Sequence, residues 1–135
     1  MTFFARAIAL LVLSTSAVAG QPILEQSDLY VSGTEGYHTF RIPSLVVSKQ
    51  ITVLAFCEGR KETRQDFGNI HLILKRSTDG GRTWGPLQIV YKEKDRDKVT
   101  CGNPCPVVDE DTGTIHLAFS RNNDRAFIIS SQDDG

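Results

Sequence analysis

Three short segments carry charged or amide side chains that strand packing does not call for. The first is Phe40-Arg41-Ile42-Pro43. A guanidinium set between an aromatic and an aliphatic neighbour is expensive to half-bury unless an anion meets it. Its planar fork suits a carboxylate. The alternative is an exposed Arg41, or one paired to a structural carboxylate. The second segment runs Ala55-Phe56-Cys57-Glu58-Gly59-Arg60 and is followed by Asp66. A strand ending in Glu58 and Arg60 would present Asp66 on the loop beyond it, where reactive side chains are usually displayed. Asp66 could equally initiate a turn ahead of Gly68. The third is Gly102-Asn103-Pro104-Cys105-Pro106. Two prolines fix the backbone there, so Asn103 can present its amide rigidly to a ligand or cap a stiff connection.

The elements that must position these residues are strands. From Arg41 onward apolar residues recur with period two in short runs separated by turn formers. Residues 44–47, 51–57, 70–76 and 87–91 read as four strands, and 106–108, 114–119 and 127–130 as three more. Ile70, Leu72 and Leu74 share one face, as a packed sheet requires. Asp109-Glu110-Asp111-Thr112-Gly113 reads as a turn that Asp starts and Gly completes with a positive φ. Helical periodicity is confined to the N-terminus, and the class is all-β.

Composition narrows the function. Fifteen Lys and Arg against sixteen Asp and Glu give a formal net charge of −1, without the basic footprint of a nucleic-acid partner. Residues 1–19 read as a cleaved signal peptide: Arg6, an aliphatic stretch from Ala7 to Leu13, then Ala17-Val18-Ala19. The apolar run is too short to anchor the chain in a bilayer roughly 30 Å thick, so the expectation is an exported protein, secreted or periplasmic, without a transmembrane anchor. The mature domain is then residues 20–135. The sign-alternating run Tyr91-Lys92-Glu93-Lys94-Asp95-Arg96-Asp97-Lys98 reads as a solvated connection. Of three cysteines, Cys57 reads as a packed apolar residue, while Cys101 and Cys105 are open to bridging that spacing alone does not establish. No His shows a local signature for activating a catalytic thiol.

One turn is written twice. Ser77-Thr78-Asp79-Gly80-Gly81-Arg82-Thr83-Trp84 recurs as Ser131-Gln132-Asp133-Asp134-Gly135, fifty-four positions later from Ser77 to Ser131. A four-stranded unit repeated about every fifty residues is the signature of a β-propeller blade. The physical logic of the turn is local. Asp79 accepts backbone N–H bonds, Gly81 takes a left-handed conformation, and Trp84 folds onto the gap between neighbouring sheets. Ser77, Asp79, Gly81, Thr83 and Trp84, with Ser131, Asp133 and Gly135, are therefore structural. A calcium loop would need alternating carboxylates and a late Glu that are missing, and no metal site is read.

The turn resembles the Asp box of sialidases and other Asp-box propellers. Phe-Arg-Ile-Pro, a strand ending Glu-Gly-Arg, a loop Asp, an Asp box and Asn-Pro-Cys-Pro, in that order, resemble the exo-α-sialidase family from about Tyr30 to Gly135. The segment Thr63 to Trp84 looks most like secreted bacterial sialidases. The resemblance implies a six-bladed propeller of which this chain supplies the first one and three-quarter blades. It also implies hydrolysis of terminal sialic acid from glycoproteins, glycolipids and oligosaccharides, with retention and without a cofactor. Arg41 then matches the first arginine of the triad that grips the sialic acid carboxylate. Arg60 matches the arginine near the sugar's 4-position, with Glu58 beside it. Asp66 matches the general acid and base, and Asn103 a pocket-lining position. The family's nucleophile is a Tyr served by a Glu, placed with the two further triad arginines in later blades. Tyr30, Tyr37 and Tyr91 match none of it, so the chain alone is expected to be inactive. The alternative is a propeller of the same build that binds glycans without cutting them.

Overall fold

The computed structural model describes residues 24–93 and 99–135, so the signal peptide and residues 94–98 of the charged run lie outside the described residues. Among the described residues seven strands form, in the expected order. They are β1 (Thr39–Val47), β2 (Val53–Arg60), β3 (Ile70–Ser77), β4 (Gln88–Tyr91), β5 (Cys101–Val108), β6 (Ile115–Arg121) and β7 (Arg125–Ser131). They build two antiparallel meanders, β1-β2-β3-β4 and β5-β6-β7, and no helix occurs among the described residues.

The apolar alternation determines which face of the first sheet meets the second. Leu54, Phe56, Leu72 and Leu74 join Cys101, Ile115, Leu117 and Phe119 in one buried cluster between the sheets. Residues of opposite parity, Cys57 and Ile73, meet Tyr37 on the far face, with Tyr30, Phe40 and Leu87 packed around them. Strand β2 is consequently buried from Leu54 to Arg60, and its continuous apolar sequence reflects cover on both sides.

Two of the first strands differ from the sequence reading in the same way. β1 begins at Thr39 and takes in Phe40 to Pro43, and β5 begins at Cys101 and takes in Asn103 and Pro104. Each carries a bulge: the register shifts between Arg41 and Ser44 against β2, and between Gly102 and Cys105 against β6. The extra residue sits before a proline in both, Ile42 at φ 54° and Asn103 at φ 57°. Asn tolerates this left-handed region, but a β-branched residue is an outlier there, so the surrounding sheet holds Ile42 in place. The bulge re-aims the side chains on either side of it.

The two boxes share their opening hydrogen bonds. Ser77 Oγ donates to Asp79 Oδ1 at 2.7 Å and accepts the Gly81 N–H at 2.8 Å. Thr83 gives Asp79 its N–H at 2.9 Å and its hydroxyl at 2.6 Å. These donors hold the Asp79 carboxyl well below the usual carboxylate range, the Thr83 hydroxyl contributing most. Ser131 repeats the pattern, bonding Asp133 Oδ1 at 2.5 Å and the Gly135 N–H at 3.0 Å. Gly81 and Gly113 both take positive φ. Trp84 departs from the reading: it is half-buried with its ring over Gly81, outside both apolar clusters.

The second box also latches the sheets together. Asp134 stands where the first box has Gly80, and both take positive φ, 69° and 73°. Its Oδ2 accepts from Thr52 Oγ1 at 2.6 Å, just ahead of β2, and from Arg76 Nη2 at 3.1 Å on β3.

Candidate functional site

The residues singled out by chemistry converge at one end of the two sheets. Residues of like parity on β2 share a face, so the row Leu54, Phe56, Glu58, Arg60 runs from apolar core to charged rim. Arg41 lies opposite Glu58 across the β1–β2 ladder. The loop after β2 returns Asp66 over this row.

Asp66 is the point of convergence. Its Oδ1 lies 2.8 Å from Arg41 Nη1 and 2.8 Å from Arg60 Nη1. Arg41 and Asp66 are open to solvent, their side chains 42% and 73% exposed. The Arg60 hydrogen bond, helped by the charges of Arg41 and Arg60, holds the Asp66 carboxyl below its ordinary range against the opposing effect of burial.

Glu58 and Arg60 are placed as supports beneath it. Their side chains are 4% and 2% exposed. Glu58 Oε2 accepts from Arg60 Nη2 at 2.6 Å and Nε at 3.1 Å. Arg60 Nη1 also donates to the carbonyls of Arg64 and Gln65 at 2.6 and 2.7 Å, which fixes the loop that bears Asp66. Burial pulls the Arg60 guanidinium down, but the hydrogen bonds it donates to Glu58 and Asp66, with their charges, more than offset it and raise it above its ordinary value.

The same Glu58 ties in the second sheet. Its Oε1 accepts the N–H of Asn103 at 2.9 Å, a donor that the bulge turns toward it. Gly102 is required by the closeness of this approach, since a Cβ there would fall 2.5 Å from Glu58 Oε1. The exposed Asn103 side chain donates through Nδ2 to Ser120 Oγ at 2.8 Å and to Asn123 Oδ1 at 3.1 Å. Thr100 finishes the frame: its Oγ1 accepts the Gly68 N–H at 3.0 Å, and its N–H donates to Asn122 Oδ1 at 3.1 Å.

Sequence reasoning named Arg41, Glu58, Arg60, Asp66 and Asn103, and the structure brings all five together. It missed Thr100, Ser120, Asn122 and Asn123. The Asn-Asn pair was readable as turn-forming, and it opens the three-residue loop of Asn122, Asn123 and Asp124 between β6 and β7, with both asparagines at positive φ. Thr100 and Ser120 gave no such signal.

Other reactive groups are committed elsewhere. Burial pushes the Cys57 thiol up to about 12, and Cys57, Cys101 and Cys105 are all free thiols. The Tyr30 hydroxyl donates to the Ala55 carbonyl at 2.7 Å, Tyr37 Oη lies 2.9 Å from His71 Nδ1, and Tyr91 bonds Glu93 at 3.3 Å. Among the described residues no cluster of three or more His, Cys, Asp or Glu is placed to hold a metal ion.

Comparison with known proteins finds sialidases, although no family model matches the chain. An exo-alpha-sialidase of Aspergillus fumigatus is 44% identical over 93 residues, covering 64% of this chain and 22% of that protein. A sialidase of Micromonospora viridifaciens is 38% identical over 97 residues, 71% of this chain and 15% of its own length. Human sialidase-3 is 35% identical over 115 residues, 72% and 26% respectively. Among solved structures, the Hadza microbial sialidase Hz136 superposes with a TM-score of 0.70 at 25% identity, over 77% of this chain and 25% of that one. The chain thus spans about a quarter or less of the length of these relatives. With its all-β architecture and its ordered Arg41, Asp66 and Asp-box segments, the chain belongs to the sialidase family.

Proposed function

We propose that this chain supplies the acid-bearing part of a sialidase site. A polypeptide joining it to the rest of its relatives' length removes terminal sialic acid from glycoproteins, glycolipids and oligosaccharides. The observation that carries this reading is the Asp66 carboxylate, held at 2.8 Å by both Arg41 and Arg60 on an exposed loop over the buried Glu58–Arg60 pair.

The geometry suggests how Asp66 acquires its proton. An acid flanked by two guanidinium groups is held ionised, which suits a base better than an acid. A sialic acid carboxylate binding Arg41 takes one of those cations from Asp66 and sets a negative charge nearby. Both changes raise the Asp66 pKa, while Arg60 keeps the group in place. Asp66 then gives its proton to the glycosidic oxygen as the bond to the anomeric carbon breaks. In the second half it takes a proton from the water that attacks that carbon. Because the sugar's own carboxylate repels an anionic nucleophile, a neutral phenol with a Glu to take its proton suits the covalent step. Tyr30, Tyr37 and Tyr91, engaged elsewhere, are not assigned to it. The leader read at residues 1–19 supports export.

Substitution of Asp66 tests the assignment. Asp66→Ala in the full-length protein should reduce turnover of a natural sialoside by roughly a hundredfold or more, the usual worth of a positioned acid. A fluorogenic aryl sialoside, whose leaving group needs little protonation, should lose far less. Equal losses on both substrates would exclude Asp66 as the acid. Binding of the glycan without turnover by the unmodified protein would exclude hydrolysis altogether.

A further inference from the structure

Beside Asp66 lies a groove of about 520 Å³ that the reaction as described does not use. One wall is the loop after β2, with Glu62, Thr63, Gln65 and Phe67. The other is the β6–β7 turn, with Asn122 and Asn123. Gln65 and Phe67 flank Asp66 in the chain, and Asn123 is bonded to Asn103, so the groove opens from the reacting end of the site.

Its chemistry is specific. Phe67 is 72% exposed, an apolar ring left in water on a loop otherwise held by hydrogen bonds. Around it stand the hydroxyl of Thr63 and the amides of Gln65, Asn122 and Asn123. An aromatic face surrounded by hydroxyl and amide groups suits a neutral pyranose, which offers a C–H face to the ring and hydroxyls to the rim. The only charged side chain lining it is Glu62, with no Lys or Arg among the lining residues, so a second sialic acid would meet like charge there.

We propose that this groove is the leaving-group subsite, that Phe67 is the platform for the neutral sugar next to the sialic acid, and that Glu62 turns away an anionic one. The inference rests on the sialidase reading, because the sugar expelled after protonation by Asp66 departs on the Asp66 side. The loop therefore carries acid and leaving-group platform on consecutive residues, and Arg60, through the Arg64 and Gln65 carbonyls, sets both.

The test compares 3′-sialyllactose with methyl sialoside in the full-length protein. Phe67→Ala should lower kcat/KM on sialyllactose about five- to tenfold more than on the methyl sialoside, chiefly through KM, as loss of one aromatic contact predicts. Phe67→Tyr, which keeps the ring, should restore the preference. Glu62→Gln should improve cleavage of an α2,8-linked disialoside relative to sialyllactose. If Phe67→Ala affects sialyllactose and methyl sialoside alike, the subsite is wrong while the hydrolase stands. If the unmodified protein cleaves neither, both readings fall.

Discussion

Removing the Glu58 carboxylate should unsettle both the fold and the site, because three donors depend on it. Glu58 Oε2 takes two hydrogen bonds from Arg60 and Oε1 takes the Asn103 N–H from the other sheet. Both members of the ion pair are nearly fully buried, at 4% and 2% side-chain exposure. Deleting one partner of a buried pair leaves an uncompensated charge and typically costs about 3–5 kcal/mol. Glu58→Ala should fall in that range, softened by the Asp66, Arg64 and Gln65 contacts that Arg60 retains. Glu58→Gln preserves shape and one acceptor, so a smaller loss of about 1–3 kcal/mol is expected. The decisive comparison is Glu58→Leu combined with Arg60→Met, which removes both charges at similar volume and should recover most of the stability lost by Glu58→Ala. Urea denaturation of the three variants, followed by Trp84 fluorescence and by far-ultraviolet circular dichroism, gives the free energies. A Glu58→Ala loss below about 1 kcal/mol, the range of an exposed pair, would refute the claim that this pair supports the loop bearing Asp66.

Two further substitutions probe how the sheets are joined. Gly102→Ala places a methyl 2.5 Å from Glu58 Oε1, an atom held by the Asn103 N–H. It should destabilise by about 1–3 kcal/mol through overpacking, measured by the same urea titration. Asp134 is pushed up by burial but brought below its ordinary value by the Ser48 and Thr52 hydroxyls and Arg76. A depressed carboxylate contributes stability that is present above its unfolded pKa, about 3.9 for Asp, and lost as pH falls through the folded value. Asp134→Asn should therefore be less stable than the parent at pH 7, and the gap should shrink as the pH is taken below about 4. A gap that stays constant with pH would remove Asp134 as an ionic latch.

Much of the architecture was legible because strand formation here is a local matter. Alternating apolar residues between turn formers gave all seven strands in order, and Asp109 and Gly113 marked their turn correctly. Boundaries moved where tertiary contacts extend pairing past the apolar run: β1 starts five residues before Ser44, because Thr39, Phe40 and Arg41 find partners in Arg60, Gly59 and Glu58. Trp84 was misjudged because its position depends on packing between sheets, which the turn itself does not encode.

The division between sequence and structure runs through the site. The order of Arg41, Glu58, Arg60, Asp66, the Asp box and Asn103 is written in the chain, and with it the chemistry available, since residue types alone fix which groups can carry charge or a proton. Which of them meets solvent is not written there. Glu58 and Arg60 look as accessible in sequence as Arg41 and Asp66, yet the second sheet closes over the first pair and leaves the second open. Strain follows the same division: an isoleucine at φ 54°, before a proline in β1, holds a conformation that the paired strand enforces. Burial and strain are properties of neighbours brought from far along the chain, and only the folded structure brings them together.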